Sequence, residues 1–176
     1  EKMSSEVTSS GSNVSVDWNT ANAGSNTRFN SAISDDGLYV VIGNPEANNW
    51  GNAYGFAGVG FYDGADWGQQ QELRPASLNP PFVDDYGVSV DINGDGSVIA
   101  VGAYRAYDST NATGVGAVYI WRRTGSTWTE EAKIYTPDGV ARIEPRWFGS
   151  TVKLLPDGNT LFANSIYTFS DPSATG

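Results

Sequence analysis

The sequence predicts an all-β protein assembled from repeated four-stranded antiparallel units of about sixty residues. Two observations carry this. The segment Tyr86-Gly-Val-Ser-Val-Asp-Ile-Asn-Gly-Asp-Gly-Ser-Val-Ile-Ala-Val-Gly-Ala103 recurs as Phe148–Ser165 and, earlier, as Thr27–Asn44, with the Asp-Gly glycines Gly37, Gly96 and Gly158 spaced 59 and 62 residues apart. A second anchor keeps the same phase, because Gly64-Ala-Asp-Trp67 and Gly125-Ser-Thr-Trp128 lie 61 residues apart. A repeat of this length is one supersecondary unit used several times.

The chain divides accordingly into residues 1–26, a unit at 27–85, a unit at 86–147 and a partial unit at 148–176. In the N-terminal segment, Glu6-Val-Thr8, a Ser-Ser-Gly-Ser-Asn turn and Val14-Ser-Val-Asp-Trp18 read as the outer hairpin of another unit. In the first unit Leu38-Tyr-Val-Val-Ile42 is an apolar strand. In the second, Val88, Val90 and Ile92 alternate with Ser89 and Asp91, the two-residue period of a strand. Asn93-Gly-Asp-Gly96 supplies residues that tolerate positive φ, as a tight hairpin requires. Val98-Ile-Ala-Val-Gly102 is apolar on both faces and must be covered on both. Ala117–Trp121, a turn at Thr124-Gly125 and Trp128–Ile134 complete four strands. No stretch of ten residues carries a helical period. Four antiparallel strands with central members buried on both sides describe a β-propeller blade. Closed propellers have at least about four blades. The third unit breaks off after its first hairpin, so the expectation is a partial propeller and a fragment of a longer chain, with ring closure by several copies and open stacking as alternatives.

These residues resemble FG-GAP repeats, the units of integrin-α-like propellers. Tyr86-Gly87 and Phe148-Gly149 are similar to the Phe-Gly half, and Gly102-Ala-Tyr104 and Gly43-Asn-Pro45 are similar to the Gly-Ala-Pro half. Gly114–Trp121, Gly125–Trp128 and Ala132-Lys-Ile134 resemble the later strands of bacterial-type blades. The likeness covers about Thr27 to Asn164. The first unit has Thr27-Arg28 where Phe-Gly would stand, and the third has Asn164-Ser165 in place of Gly-Ala-Pro. The resemblance implies a module of surface adhesion, ligand-binding or carbohydrate-associated proteins that accompanies catalysis without performing it.

Composition narrows the function classes. Ten Lys and Arg face twenty Asp and Glu, for a net charge of −10. Duplex binding and anionic membranes both need basic surface, so both are disfavoured. No apolar run exceeds about six residues, so these residues hold neither a membrane-spanning helix nor a signal peptide. The absence of Cys gives no compartment signal. Gly, Asn and Ser richness with acidic charge suits an extracellular, cell-surface or virion-surface protein. Asn13-Val-Ser15 and Asn111-Ala-Thr113 fit the N-glycosylation pattern, with Asn13 and Asn111 as acceptors only in a eukaryotic host.

With neither His nor Cys, a Ser-His-Asp triad, a thiolate nucleophile and a His/Cys zinc site are all excluded. Carboxylate chemistry remains. Glu130-Glu131 are strand neighbours that point to opposite faces. Asp84-Asp85 and Glu130-Glu131 read as solvated charges at blade edges. Asp91-Ile-Asn-Gly-Asp-Gly96 has the oxygen spacing of a calcium loop, with Asp91, Asn93 and Asp95 as ligands. The later ligand position is Ile99, and the equivalent positions in the other units form no cage, so a hairpin turn is the favoured reading and no cofactor is expected. The tryptophans Trp67, Trp121 and Trp128 read as packing residues. The loops after the second strands are the candidate ligand-binding surface: Asn44, Glu46, Asn49, Trp50 and Tyr54 in the first unit, and Tyr104, Arg105, Tyr107 and Asp108 in the second. An aromatic ring beside polar side chains suits a sugar, whose face stacks while its hydroxyls hydrogen-bond. The expected function is non-enzymatic recognition or assembly at a surface, with a protein or glycan ligand and further chain or a homo-oligomer as partner. A lectin-like glycan binder and a structural subunit of a filament, appendage or virion are the alternatives.

Overall fold

The computed structural model describes residues 29–47, 55–76, 84–107, 114–135 and 147–165. Among them every regular element is a strand. The first sheet has the order β1 (Asn30–Ile33), β2 (Tyr39–Asn44), β3 (Phe56–Tyr62) and β4 (Trp67–Glu72). The second repeats it with β5 (Tyr86–Ile92), β6 (Val98–Ala103), β7 (Ala117–Thr124) and β8 (Thr127–Ile134). A third pair, β9 (Val152–Leu154) and β10 (Leu161–Ala163), starts the pattern again. All pairings within the sheets are antiparallel between sequence neighbours. The three anchor glycines occupy matching turns, with φ of 70°, 64° and 70° at Gly37, Gly96 and Gly158.

The second sheet is covered on both faces, as its double-sided apolar strand requires. Ile99, Val101, Tyr119 and Trp121 face the first sheet and form one core with Tyr39, Val41, Val59 and Leu73. Ala100 and Val118 face the third pair and meet Val152, Phe148, Leu154 and Leu161. Trp121 and Trp128 are buried packing residues, whereas Trp67 is only half-buried and lies against Tyr62.

Backbone-to-backbone approach explains the recurring glycines. Gly43 and Gly102 occupy equivalent positions on β2 and β6, and a side chain on either would run into the carbonyl oxygen of the next unit's Gly87 or Gly149. The Tyr86-Gly87 and Phe148-Gly149 signatures are therefore contact points between units, and Gly55 and Gly116 bridge to Tyr86 and Phe148 in the same way. The hairpin turns also join in phase. Asp35 N–H donates to Gly94 O at 2.9 Å, and Gly94 N–H donates to Pro156 O at 3.0 Å.

Candidate functional site

The strand ends opposite these turns carry the candidate ligand loops. After β2, Asn44 Oδ1 accepts the Glu46 N–H at 3.0 Å, and Ala47 turns back on Asn44 O. After β6, Ala106 turns back on Ala103 O at 3.0 Å. Ala47 and Ala106 are fully buried, and each carbonyl accepts the chain returning towards the third strand, from Gly55 in one unit and from Val115 and Gly116 in the other. This shared scaffold presents Glu46 and the pair Tyr104-Arg105 at the same end of neighbouring sheets.

Asp84 and Asp85, just before β5, come up to the same corner. Both are buried, 3% and 8% exposed, which corrects the expectation of solvated edge charges. The chain turns sharply there: Asp85 has φ of 49°, and Arg105 N–H donates to Asp84 O at 3.3 Å. Burial pushes the Asp84 carboxyl up to about 6, against the pull of the Lys133 charge. Burial also raises Asp85, opposed by a hydrogen bond from Tyr104 and by Arg105, and reinforced by Glu46. Arg105 Nε stands 3.2 Å from Asp85 Oδ2, and its guanidinium lies 5.3 Å from the centre of the Tyr104 ring. Tyr104 in turn meets Trp147, the residue just before the third unit, edge-on at 6.0 Å.

Asp85, Arg105, Tyr104 and Trp147 thus form a continuous row at the loop end, running from the last residue of the first unit to the last residue of the second. Its centre is a buried carboxylate under a guanidinium, and its rim is the 38% exposed Trp147. Such a row offers an aromatic edge and a cationic donor to a polar ligand, with the buried Asp85 carboxylate holding the guanidinium in place. Sequence reasoning named Glu46, Tyr104 and Arg105 but missed Asp85 and Trp147. The missed signal is positional: both immediately precede an aromatic-Gly pair, and Trp147, like Asp85, has φ of 49°. Tyr107 belongs to the scaffold through its carbonyl, which accepts the Tyr135 hydroxyl at 3.4 Å. Asn44 is fully buried on the loop scaffold, not displayed on its surface. Asn49, Trp50, Tyr54, Asp108 and the glycosylation candidates Asn13 and Asn111 lie outside the described residues.

The calcium-like string divides two ways, with Asp91 turned to the third pair of strands and Asn93 and Asp95 kept in the turn. Asp91 Oδ1 is 3.0 Å from Lys153 Nζ, and its Oδ2 accepts the Leu154 N–H at 2.6 Å, so this carboxylate ties β5 to β9. Asn93 Oδ1 accepts the N–H groups of Ser97 and Val98, and its Nδ2 donates to Asp95 Oδ1 at 2.8 Å. Asp95 Oδ1 also accepts from Ser97. The latter two side chains shape the turn, and Ile99 is buried in the core. Glu130 and Glu131 serve different partners: Glu130 accepts the Ala76 N–H at 2.9 Å, and Glu131 pairs with Arg122 at 2.7 Å. No protein-family model and no curated protein matches this sequence, so what the site does rests on its geometry.

Proposed function

We propose that the chain is a non-enzymatic β-propeller segment of FG-GAP type, working as a recognition or assembly module at an extracellular or particle surface. The observation that carries this reading is the row Asp85, Arg105, Tyr104 and Trp147, which spans two units at the loop end. A ligand seated there touches two separate stretches of chain, the loop after β6 and the corner before Phe148, whereas the paired turns at the other end are occupied by their own backbone bonds. The buried glycine contacts between units and the two-faced second sheet support the blade reading. The net charge of −10 supports a partner other than nucleic acid.

A glycan is the favoured ligand class within this reading, because the row combines an exposed tryptophan edge with charged hydrogen-bonding groups. The test is a glycan array probed with the unmodified chain and with Trp147→Ala, Arg105→Ala and Trp50→Ala. Binding that Trp147→Ala and Arg105→Ala abolish supports the lectin-like reading. Glycan binding indifferent to both moves the site away from this row, and an array with no binding leaves the structural-subunit reading in its place.

A further inference from the structure

Asp85 sits at the base of the row, and the contacts it makes there are those of a carboxylate. It enters from the corner before β5 and lies between two loops. From the loop after β6, the Tyr104 hydroxyl donates a hydrogen bond to it, and Arg105 Nε stands 3.2 Å from its Oδ2. From the loop after β2, Glu46 brings a like charge. Its chain neighbour Asp84 feels the Lys133 charge from β8. These are the charged and titratable groups around Asp85 among the described residues. Asp85 Oδ2 is buried and receives no aligned hydrogen bond among them, so its tie to Arg105 is one of charge. The outer half of the row hangs from these contacts. The Arg105 guanidinium lies 5.3 Å from the centre of the Tyr104 ring, and that ring meets Trp147 at 6.0 Å.

We propose that Asp85 is an acid-operated release for the ligand of this row: ionised, it holds Arg105 and Tyr104 in place beside the bound ligand, and protonated, it lets both go. The inference deepens the recognition reading and rests on it. One proton makes the difference. Oδ2 lacks an aligned donor and is therefore the oxygen open to it. A proton there faces the Arg105 Nε–H, donor against donor, and the ion pair that fixed the guanidinium is gone. The neutral carboxyl is also a weaker acceptor for the Tyr104 hydroxyl. The Arg105 side chain is 55% exposed, so it turns to solvent, and the hold on Tyr104 beside Trp147 weakens with it. Burial is the largest influence on Asp85 and favours the protonated form, as does Glu46. Tyr104 and Arg105 oppose it, and the balance puts the switch above the ordinary carboxylate range. The change is local and not an unfolding. With the folded value raised, ionisation of Asp85 opposes folding; that penalty is absent below the ordinary range and grows as pH rises through it. Acidification through this group therefore strengthens the fold while it loosens the row.

The first measurement needs no ligand. The Trp147 indole N–H and the Arg105 Nε–H are followed by NMR from pH 7.5 to pH 4, with far-UV circular dichroism recorded alongside and Trp147→Phe used to identify the indole signal. The expected result is one shared transition with its midpoint above the ordinary 3.8 and with the strands intact. Asp85→Asn should remove the transition, Asp84→Asn should keep it, and Glu46→Gln should move it to lower pH by withdrawing a like charge. No transition, a transition that persists in Asp85→Asn, or one that accompanies loss of the strands overturns the inference. If Asp85→Asn itself loses its strands, the decision falls to Glu46→Gln, where an unmoved midpoint overturns it. The second measurement takes a glycan bound on the array at pH 7.5 and lowers the pH. Binding confined to the ionised form weakens about tenfold at one pH unit below the midpoint, and in Asp85→Asn it should be weak at both pH values. Equal affinity on both sides of the midpoint overturns the release and leaves the recognition reading standing. A chain that binds no glycan at any pH while the row still titrates fails the recognition reading, and the release falls with it.

Discussion

Alanine at Gly102 puts a methyl group where the next unit's backbone already stands. The added Cβ would overlap Gly149 O and Ser89 Oγ and sit 3.0 Å from Gly149 C. Gly102 is not in the left-handed region, so alanine brings no conformational strain and the effect is purely steric. The obstructing atom is a main-chain carbonyl that cannot rotate aside. β5 and β6 must therefore separate from β9 and the Phe148-Gly149 corner, and the 2.8 Å bond from Ser89 Oγ to Gly149 O is strained with them. Overpacking of this kind costs about 1–3 kcal/mol, and with rigid backbone on one side the upper end applies. For a chain of this size, each kcal/mol shifts Tm by about 2–4 °C, which gives a loss of roughly 6–12 °C. Gly68→Ala is the matched control. It lies on β4 with open space around the new Cβ, and should be neutral or stabilising by up to about 1 kcal/mol. Thermal and urea unfolding of the two variants beside the unmodified chain measures both. Gly102→Ala melting within a degree of the unmodified protein would show that the units do not approach through this glycine.

Asp84→Asn tests the buried corner. The folded carboxyl titrates near 6, against 3.8 ordinarily, so its ionisation opposes folding. That penalty is absent below about pH 4, grows between pH 4 and 6, and reaches at most about 3 kcal/mol above pH 7. Asp84→Asn should therefore raise Tm at pH 7.5 and leave it nearly unchanged at pH 4; equal effects at both would remove the burial argument. Asp91→Ala should lower stability by about 1–3 kcal/mol, because the Leu154 N–H loses its acceptor, while Asp91→Asn should retain most of it. Equal losses in the two variants would assign the effect to the Lys153 charge, whose exposed head is expected to contribute little. Chelator should leave Tm unchanged, and a calcium-dependent shift that disappears in Asp95→Ala would restore the metal reading of Asp91, Asn93 and Asp95.

The strands were legible because each rule behind them is local. The alternation at Val88–Ile92 announces a strand, the Asn-Gly-Asp-Gly run a hairpin, and the double-sided apolar Val98–Gly102 a sheet covered on both faces. The candidate site was legible only where it lies on the loops themselves, at Glu46, Tyr104 and Arg105. Asp84 and Asp85 looked like solvated charges because burial of a carboxylate is decided by the loop that folds over it, here the Tyr104-Arg105 turn. Trp147 was one unassigned tryptophan among six, since its neighbour Tyr104 is more than forty residues away.

The repeat separates two kinds of position, and the difference bears on function. Where equivalent residues agree, as at Gly43 and Gly102 or Tyr86 and Phe148, they build the junction between units. Where equivalent residues differ, each unit's own chemistry enters. Asp91 and Lys153 are equivalents of opposite charge, with Ala32 in the first unit, and they meet across the second junction as an ion pair that the first cannot make. The adjacent-unit pairing was thus already encoded by aligning the repeats and reading down the column. The same column logic applies at the end that carries the candidate site. Asp85 and Trp147 share a position and a backbone conformation, yet one is a buried carboxylate and the other an exposed indole. A common scaffold forces the turn, and the divergent side chains on it make the second junction chemically unlike the first. If the proposed recognition function holds, the divergent positions are where selectivity would arise, because the matching positions of the two units, such as Gly43 and Gly102, are already committed to holding the units together.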